Sequence, residues 1–595
     1  MKHLLYINKY LYRYRGRLLL GFIFVSLSNY FGILIPQRIG KALDFVREQL
    51  VANSESGTTN LSEELSAALL QFVIIVIGFV LLKGLFMYFM RQTIIVVSRL
   101  IEYDLRKDMY EHLQTLDTSF YKRNKTGDLM ARISEDVSKV RNYLGPGILY
   151  GVNLISLFAL TIFAMIRVSP ELTFYTLLPL PFLSLSIYYV SDKINSKSTI
   201  IQQQLSKLTV IAQEAYSGIR VLKSYGKEAQ FVGHFEDESE DFRKKSLDLA
   251  IFNAFFFPLM ILLINISTLL VLIISGHLVA DGTVSAGNIL EFIIYVNMLT
   301  WPVTSIGWIA SVVQEAAASQ ARINAIMEEK TVLVDGTISG QEIKGDLVFD
   351  KVTFIYPETG VKAMDGVSFR IKAGQKIAII GKTASGKSTI GELILRMYDI
   401  NEGAITLDGI PLKQYKMSHI RENIAYVPQD VFLFSDSVQA NIGFGTSGVS
   451  EEEAKKFAGY AAVDEDIQKL PEGYQALVGE RGVTLSGGQK QRVSIARALI
   501  KNPDMVILDD CLSAVDVETE HQILQYLNNA LAGKTAIIIT HRVHSLQDFD
   551  QIIVLDEGKI AEMGTHDQLA NTGGFYAQQL ENSRNATEYS VQVEK

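Results

Sequence analysis

A glycine-rich segment that contains a lysine and a serine is the clearest candidate in the sequence for a ligand-binding site. It follows a β-branched apolar run over 376–380 and precedes an apolar helical segment, with its residues in the order Gly381, Lys382, Thr383, Ala384, Ser385, Gly386, Lys387, Ser388 and Thr389. Glycines at this spacing let backbone N–H groups wrap a phosphate, and a helix N-terminus adds positive potential there. The pattern predicts a nucleotide-phosphate loop in which Lys387 reaches the β- and γ-phosphates and Ser388 binds Mg²⁺.

Two adjacent carboxylates end a second apolar run. Residues 505–508 have the composition of a buried strand, and Asp509 and Asp510 follow them directly. An apolar strand that ends in aspartate is common in proteins, but downstream of a phosphate loop it indicates nucleotide hydrolysis. We predict that Asp509 supports the magnesium ion, and that Asp510 orients or deprotonates the attacking water.

A second glycine-rich turn precedes another helix, and its residues are Leu485, Ser486, Gly487, Gly488 and Gln489. As a local feature the turn caps a helix N-terminus, where unpaired backbone N–H groups can hold an anion. A second anion-binding helix so far along the chain is difficult to use within one compact subunit.

This pentapeptide is the signature of the ABC transporter family, which the chain strongly resembles. In that family the turn of one subunit contacts the ATP held by the phosphate loop of the other, so that two domains enclose two ATP molecules. The resemblance implies ATP and Mg²⁺ as ligands and ATP hydrolysis as the reaction. It also implies a dimer, formed with a second copy or with a different half-transporter.

Further motifs of the family match single positions of this sequence. The resemblance implies that Tyr356 stacks on adenine and that Gln429 contacts Mg²⁺ and signals to the membrane helices. It likewise places Asp516 in the D-loop and His541 at the γ-phosphate. A lone histidine more often has a structural role, but His541 follows the strand predicted over 536–540, as the family requires. The predicted catalytic residues are therefore Asp510, His541, Gln429 and Lys387.

The membrane half is similar to the exporters of this family in particular. The similar segments are 103–106, 127–132 and 218–223. Residues 478–482, just before the signature, resemble the loop with which exporters sense the cytoplasmic helices. The resemblance covers nearly the whole chain, and only the tail after about residue 582 lacks it.

Six apolar segments are long enough to cross a membrane, since a spanning helix needs about 20 mostly apolar residues for about 30 Å of hydrocarbon. They are 18–37, 67–90, 144–167, 171–191, 252–277 and 287–311. A buried apolar hairpin is the alternative for the third and fourth, which only a short turn separates. The four further spans favour a membrane domain.

Basic residues set the expected orientation. Lysine and arginine are concentrated between spans two and three and between spans four and five, whereas 277–288 has none and 48–62 is nearly free of them. Basic segments stay inside, so both chain ends and the ATPase domain are expected to be cytoplasmic, in a multi-pass protein of the cytoplasmic membrane. Residues 3–14 are predicted to form an amphipathic helix on that face.

The two basic segments contain no proline and show helical apolar spacing. They predict helices that extend the spans into the cytoplasm, with short turns at their tips. Loops of that size without structure are uncommon, so the tips are expected to contact the ATPase domain, near 118–127 and 206–216.

Composition excludes several classes of protein. The 595 residues carry a formal net charge of −8, and no basic face suggests nucleic-acid binding. The single cysteine, Cys511, excludes an intramolecular disulfide framework. The apolar stretch from Leu18 to Pro36 is too long for a signal peptide.

The sequence thus predicts a multi-domain protein. An all-α polytopic membrane domain of six helices occupies 1–329, and a polar linker covers 330–345. An α/β P-loop ATPase domain with an α-helical signature subdomain follows over 346–582, and a tail over 583–595 ends the chain.

Two positions depart from the family pattern. Asp510 stands where most active members have glutamate, and its reach is about 1 Å shorter, a misplacement that can cost on the order of 10²-fold in rate. In heterodimeric exporters this change marks a slow site, so a heterodimer with a better partner site and a homodimer that hydrolyses with aspartate both stay open. Ala384 replaces a frequent glycine, and we expect right-handed backbone there and little effect.

The expected function is an exporter half that uses ATP to expel or flip an amphipathic compound, such as a drug or a lipid, across the bilayer. Charges within the spans are few, chiefly Lys83 and Glu291. Aromatic candidates for the substrate cavity are Tyr30, Phe255, Phe256, Tyr295 and Trp301. An importer with the same architecture and an ATP-gated channel are the alternatives.

Overall fold

The computed structural model describes residues 2–56, 63–446, 448–479, 482–512, 515, 517–530, 532–543 and 546–583. The chain forms two compact units. The first consists of Met1–Gln114 and Gly127–Glu329. The second consists of Thr115–Thr126 and Lys330–Lys595, so a short segment of the N-terminal half is compact with the C-terminal half.

The described part of the first unit is helical. Five helical stretches are long and apolar enough to cross a membrane, namely Arg15–Val51, Leu65–Gln114, Thr126–Val168, Glu228–Ala280 and Ala286–Met327. The fourth predicted span, 171–191, lies on the helices Pro170–Leu177 and Pro179–Ser217, where several side chains fall outside the described ones. The region is therefore a helical transmembrane region.

Local sequence explains where these helices begin. Ser169 caps the helix Pro170–Leu177 by accepting a hydrogen bond from the Leu172 amide at 3.2 Å. Ser285 caps Ala286–Met327 with a capping box that includes Asn288. Serine accepts from orphan amides at a helix start, so both short connections end in a defined turn.

The N-terminal segment forms a 3₁₀ turn, Lys2–Ile7, and a helix, Asn8–Arg13. The Tyr10 hydroxyl donates to Asp108 at 2.6 Å, and Arg13 pairs with Asp104 at 3.0 Å. The polar side of this helix is thus held by carboxylates of the helix Val96–Gln114.

The second predicted tip is wrong in position. The helix Pro179–Ser217 runs straight through 206–216, and the chain reverses over 218–227 around the short helix Ile219–Tyr225. Gly226 has φ +60°, the left-handed backbone that the reversal requires. Residues 206–216 contain no glycine or proline, so nothing there ends the helix.

The second unit contains two sheets. A four-stranded antiparallel sheet has the order β2-β1-β4-β5, with β1 Leu347–Ile355, β2 Lys362–Ile371, β4 Glu402–Leu407 and β5 Ile410–Pro411. A six-stranded sheet has the order β10-β9-β3-β8-β7-β6, with β3 Lys376–Gly381, β6 Ile424–Val427, β7 Met505–Asp509, β8 Thr535–Ile539, β9 Gln551–Asp556 and β10 Lys559–Gly564. Strands β6, β7, β8, β3 and β9 are mutually parallel, and only β10 is antiparallel.

Helices complete this unit. The first is Lys387–Ile394, directly after β3, and Met417–Asn423 precedes β6. A helical group packs around a shared apolar cluster and comprises Val438–Ile442, Glu451–Tyr460, Asp464–Gln468 and Gly487–Ile500. Val517–Ala530 and His566–Ala570 follow. The unit is therefore an α/β domain with a helical subdomain.

The segment 115–126 adds one more helix to this unit. Asp117 caps Thr118–Arg123 by accepting from the Phe120 amide at 3.0 Å, and it also accepts from the Val332 amide at 3.1 Å. Ser119 and Phe120 are buried. The expected contact of the first tip with the α/β unit is therefore present.

Candidate functional site

The predicted phosphate loop joins the central strand β3 to the helix Lys387–Ile394. Strand β3 lies between β8 and β9, and its apolar residues 377–380 are buried. The carboxyl ends of parallel strands meet at one edge of a sheet, and ligands of open α/β sheets bind there. Residues that follow β3, β7 and β8 are therefore brought to the same edge.

Gly386 is required by the geometry of this loop. It has φ +95°, and a Cβ built there would meet the Ala363 carbonyl oxygen at 2.2 Å. The backbone of strand β2 thus packs directly against the loop at Gly386. This contact fixes the position of the amides that follow at the start of the helix.

A cavity of about 280 Å³ opens at this edge. It unites residues that are distant in sequence, and its lining comprises Tyr356, Val361, Ala363, Thr383, Ala384, Ser385, Gly386, Lys387, Ser388, Thr389, Gln429, Asp509, Asp510, Ile539 and His541. Nearly all the side chains that the sequence assigned to one nucleotide site lie on this cavity. Gly381 and Lys382 belong to the same loop without lining it.

Lys387 lies buried inside its own loop. Its Nζ donates to the carbonyl oxygens of Gly381 at 2.9 Å and Lys382 at 2.6 Å. Burial lowers the pKa of Lys387, while the carboxylates of Asp510 and Asp509 oppose that change. A bound anion can replace these carbonyl contacts without leaving a buried donor unpaired.

Asp509 ends β7 as a buried carboxylate with a spare oxygen. Its Oδ2 accepts from the Tyr426 hydroxyl at 3.2 Å, and its buried Oδ1 has no hydrogen-bond partner among the described residues. Burial raises the pKa of Asp509, and hydrogen bonds from Ser388 and Tyr426 oppose the rise. An orphaned carboxylate oxygen beside a serine hydroxyl fits a hard divalent cation such as Mg²⁺.

Asp510 stands one residue further, in left-handed backbone with φ +45°. Its amide donates to the Ile539 carbonyl at 2.8 Å, and its Oδ2 accepts from the Gln429 amide at 3.3 Å. Burial raises the pKa of Asp510, while His541, Lys387 and Arg542 oppose the rise. The carboxylate is therefore held at the cavity wall by Gln429 and by the strand that ends before His541.

Tyr356 closes another side of the cavity. Its hydroxyl lies 2.9 Å from Thr389 Oγ1 and donates to Glu392 at 2.8 Å. Its ring packs edge-on against Phe354, with centroids 4.9 Å apart. Burial raises the pKa of Tyr356, so the hydroxyl stays a donor at neutral pH.

The signature residues do not line this cavity. Ser486 caps the helix Gly487–Ile500 with a capping box, in which the Gln489 amide donates to Ser486 at 3.3 Å and Gln489 Oε1 accepts from the Ser486 amide at 2.9 Å. Ser486 and Gly487 are exposed. Asp516 of the predicted D-loop and residues 480–481 of the predicted sensing loop lie outside the described residues.

Sequence reasoning missed two residues at this site. Tyr426 donates to Asp509, and Glu392 accepts from Tyr356. A signal for Glu392 was present, because Thr389 and Glu392 are three residues apart on one helix and must share a face.

Ala384 differs from the prediction. It has φ +62°, so its backbone is left-handed and not right-handed as expected. The loop turns back on itself between Gly381 and the helix, and that reversal imposes the conformation whatever residue stands there. A side chain in this region costs about 1–2 kcal/mol.

Replacing Ala384 with glycine is therefore expected to stabilise the protein slightly. Relief of the left-handed strain exceeds the roughly 0.4–1 kcal/mol that glycine adds to the entropy of the unfolded chain. Thermal unfolding of the purified chain measures the change. Ala404→Gly, on the exposed strand β4, is the control and should destabilise. Equal destabilisation by both variants would contradict the strain at Ala384.

The chain matches two known regions in succession. Residues 18–303 match the ABC transporter transmembrane region, and residues 364–513 match the domain described as ABC transporter. The chain belongs to the ABC transporter family. Curated relatives align over 95% and 97% of the chain, and so across both matched regions.

Relatives of this ABC transporter include the multidrug resistance-like ATP-binding protein MdlA of Escherichia coli (strain K12). It is 36% identical over 565 residues, which are 95% of this chain and 93% of the relative. The probable multidrug resistance ABC transporter ATP-binding/permease protein YheI of Bacillus subtilis (strain 168) is 38% identical, with 83% and 85% covered. The ATP-dependent lipid A-core flippase of Pseudomonas fluorescens (strain Pf0-1) is 34% identical, with 83% and 82% covered.

A solved structure of similar fold is that of a bacterial Atm1-family ABC exporter with ATP bound. The TM-score is 0.75 at 24% identity, and the match covers 96% of this chain and 98% of the other. The similarity in fold therefore covers nearly all of this ABC transporter chain. The two matched regions and the relatives make this protein an ATPase-coupled half-transporter.

Proposed function

We propose that this half-transporter binds ATP with Mg²⁺ in the cavity at the edge of the six-stranded sheet and hydrolyses it there. The observation that carries the proposal is that one cavity is lined by the phosphate loop, Tyr356, Gln429, both aspartates and His541. These groups come from five separate stretches of sequence, and each has a type that the reaction uses.

Each residue has a proposed role. Amides of the loop 381–389 and Lys387 hold the phosphates, since the Lys387 ammonium exchanges its two carbonyl acceptors for phosphate oxygens. Tyr356 stacks on the base. Gln429 orients the attacking water toward Asp510, which accepts its proton, and His541 donates to the γ-phosphate.

The metal site is proposed at Ser388, Gln429 and Asp509. The unpartnered Oδ1 of Asp509 and the hydroxyl beside it support this assignment. When bound, Mg²⁺ neutralises charge that develops on the phosphate oxygens. Ser388, Gln429 and Asp509 would hold the ion, and the hydrogen bond from Tyr426 would orient the Asp509 carboxylate.

A dimer is proposed to complete the site. Ser486, Gly487, Gly488 and Gln489 stand outside the cavity on a capped, exposed helix N-terminus, which suits a phosphate brought by another subunit. Asp516 is proposed to contribute to nucleotide binding in that dimer. The second subunit is either another copy or a different half-transporter.

An ATP-induced cross-link tests the dimer. The only cysteine of the chain, Cys511, is buried, so new thiols report without interference. In the full chain carrying Lys382→Cys and Ser486→Cys, a disulfide-linked dimer should form with ATP and Mg²⁺ and not without nucleotide. The two single variants are the controls. A double variant that never links with nucleotide present would contradict closure of two copies around ATP.

The domain bounds proposed from the sequence are 1–329 for the membrane domain, 330–345 for the linker, 346–582 for the ATPase domain and 583–595 for the tail. The membrane domain is proposed to have six spans in the cytoplasmic membrane, with both chain ends and the ATPase domain inside. The concentration of lysine and arginine in the two long segments between spans supports this orientation.

The substrate is proposed to be an amphipathic compound such as a drug or a lipid. The only two tryptophans of the chain, Trp301 and Trp308, pack against Tyr150 with ring centroids 5.2 and 5.6 Å away, and both indoles are about half exposed. Tyr30 and Phe255 are also exposed. Tyr295 is buried beside Glu291 and is therefore no longer a candidate for the substrate cavity. The side chain of Phe256 lies outside the described residues.

Transport in inside-out membrane vesicles tests this function. A fluorescent amphipathic dye should accumulate in the vesicles with ATP, and its binding should change the emission of the two tryptophans. Accumulation in right-side-out vesicles instead would support an importer, and flux that needs ATP binding but not hydrolysis would support a channel.

A further inference from the structure

The segment 115–126 places a lysine at the proposed adenine-binding tyrosine. Lys122, on the helix Thr118–Arg123, has its Nζ 5.0 Å from the ring centroid of Tyr356 and 5.0 Å from that of Tyr398. Both distances lie within the range of a cation–π contact. The cation therefore packs against the aromatic side chain that lines the nucleotide cavity.

A carboxylate ties the same two residues together. Glu392 accepts from Lys122 Nζ at 3.3 Å through one oxygen and from the Tyr356 hydroxyl at 2.8 Å through the other. Glu392 is partly buried, with 22% of its side chain exposed, whereas Lys122 is 43% exposed. Both carboxylate oxygens of Glu392 therefore accept a hydrogen bond, one from Lys122 in the segment 115–126 and one from Tyr356.

The tyrosine is in turn joined to the phosphate loop. Its hydroxyl lies 2.9 Å from Thr389 Oγ1, and Thr389 lines the cavity. The edges of Phe354 and Tyr398 bound the ring on other sides, with centroids 4.9 and 5.5 Å away. Three ring contacts and two hydroxyl contacts therefore define one position for Tyr356. Of the residues that make these contacts, Lys122 is the one that belongs to the segment 115–126.

We propose that Lys122 is a positioning residue for nucleotide binding, which holds the ring of Tyr356 in the place where the base stacks. Lys122 touches neither base nor phosphate, and it acts through the ring and through Glu392. The affinity for the base then depends on the contact of the segment 115–126 with the ATPase domain. By thermodynamic linkage, nucleotide binding strengthens that contact by the same factor.

This inference rests on the proposed stacking role of Tyr356, so the experiment must separate the two. The readouts are the KM for ATP of the full chain in lipid nanodiscs and the inhibition constant of inorganic tripolyphosphate. Tripolyphosphate occupies the phosphate loop but carries no base. The ratio of the two constants isolates the base from any general effect of charge or folding.

Lys122→Met keeps the aliphatic stem and removes the cation. We expect the KM for ATP to rise about three- to tenfold, the range of one partly exposed cation–π contact with an ion pair. The inhibition constant of tripolyphosphate and kcat should each change by less than about twofold. Lys122→Arg should restore the KM, since a guanidinium also packs on an aromatic ring.

Lys125→Met is the matched control, because it removes the same charge from the same exposed tip and should leave all three constants unchanged. In a Tyr356→Leu background, Lys122→Met should have no further effect on KM. The inference is overturned if Lys122→Met equals the wild type, if ATP and tripolyphosphate weaken equally, or if the effect persists without Tyr356. Failure of the proposed site itself would look different, since Tyr356→Leu alone would then leave the KM for ATP unchanged.

Discussion

Lys387→Ala is expected to abolish ATP hydrolysis by the full-length chain. The ammonium of Lys387 is the one buried cation of the phosphate loop, and its acceptors are backbone carbonyls of the same loop. Loss of a preorganised donor to transition-state charge costs about 10²–10³-fold in kcat. Phosphate release by the purified protein in lipid measures the effect.

The same variant should remain folded, because the side chain bonds only within its own loop. Its thermal unfolding is expected to stay close to that of the wild type. Lys372→Ala, at an exposed position ahead of β3, is the control and should hydrolyse normally. A Lys387→Ala protein with normal turnover would refute the assignment of the nucleotide site.

Asp510→Asn has the second large expected effect, and it acts on activity and stability in opposite directions. Hydrolysis should fall at least about 10²-fold, as expected when a positioned base is removed. Stability should rise. The asparagine side chain keeps a carbonyl that can accept from Gln429, so the geometry of the cavity wall is preserved.

The sign of the stability change follows from the pKa. Burial raises the pKa of Asp510 in the folded protein above its value in the unfolded chain. Such a group stabilises the fold below its unfolded pKa, and that contribution is lost as pH rises through the folded pKa. At neutral pH the ionised carboxylate is therefore a net cost, and asparagine removes it.

Thermal unfolding without nucleotide measures this cost. Each 1 kcal/mol removed corresponds to about 2–4 °C for a domain of this size. The gain of Asp510→Asn over the wild type should be present at pH 7.5 and shrink as the pH falls toward the pKa of the carboxyl. A gain that does not depend on pH would show that charge is not its cause.

Turnover measurements on the same variants also test whether the second subunit must be a different half-transporter. Robust turnover by the purified chain, lost in Asp510→Asn, removes the need for a different partner. Slow turnover that Asp510→Glu increases indicates that the shorter side chain limits the reaction, as in a slow site of a heterodimer. The extra methylene extends the carboxylate by about 1 Å, a displacement that can change the rate on the order of 10²-fold.

Local patterns in the sequence determined the parts of this protein that depend on neighbours along the chain. Glycine spacing before a helix defined the phosphate loop, and apolar runs of membrane-spanning length predicted the helical region that the structure has. The apolar strand before Asp509 and Asp510 was equally clear, since a parallel strand that is buried on both faces has a nearly continuous apolar sequence. The family resemblance then supplied Tyr356, Gln429 and His541, which no local pattern would have joined to the same cavity.

Only the tertiary structure decided how distant residues constrain one another. The left-handed backbone of Ala384 and the reversal over 218–227 differ from what the sequence predicted. Lys122 and Tyr426 could not be recognised as site residues from the sequence, because their partners lie on other elements. The physical reason is the same in each case. Periodicity and propensity report the energy of a segment by itself, whereas a loop's backbone, a buried carboxylate's partner and a ring's position are set by contacts that exist only after the elements have packed.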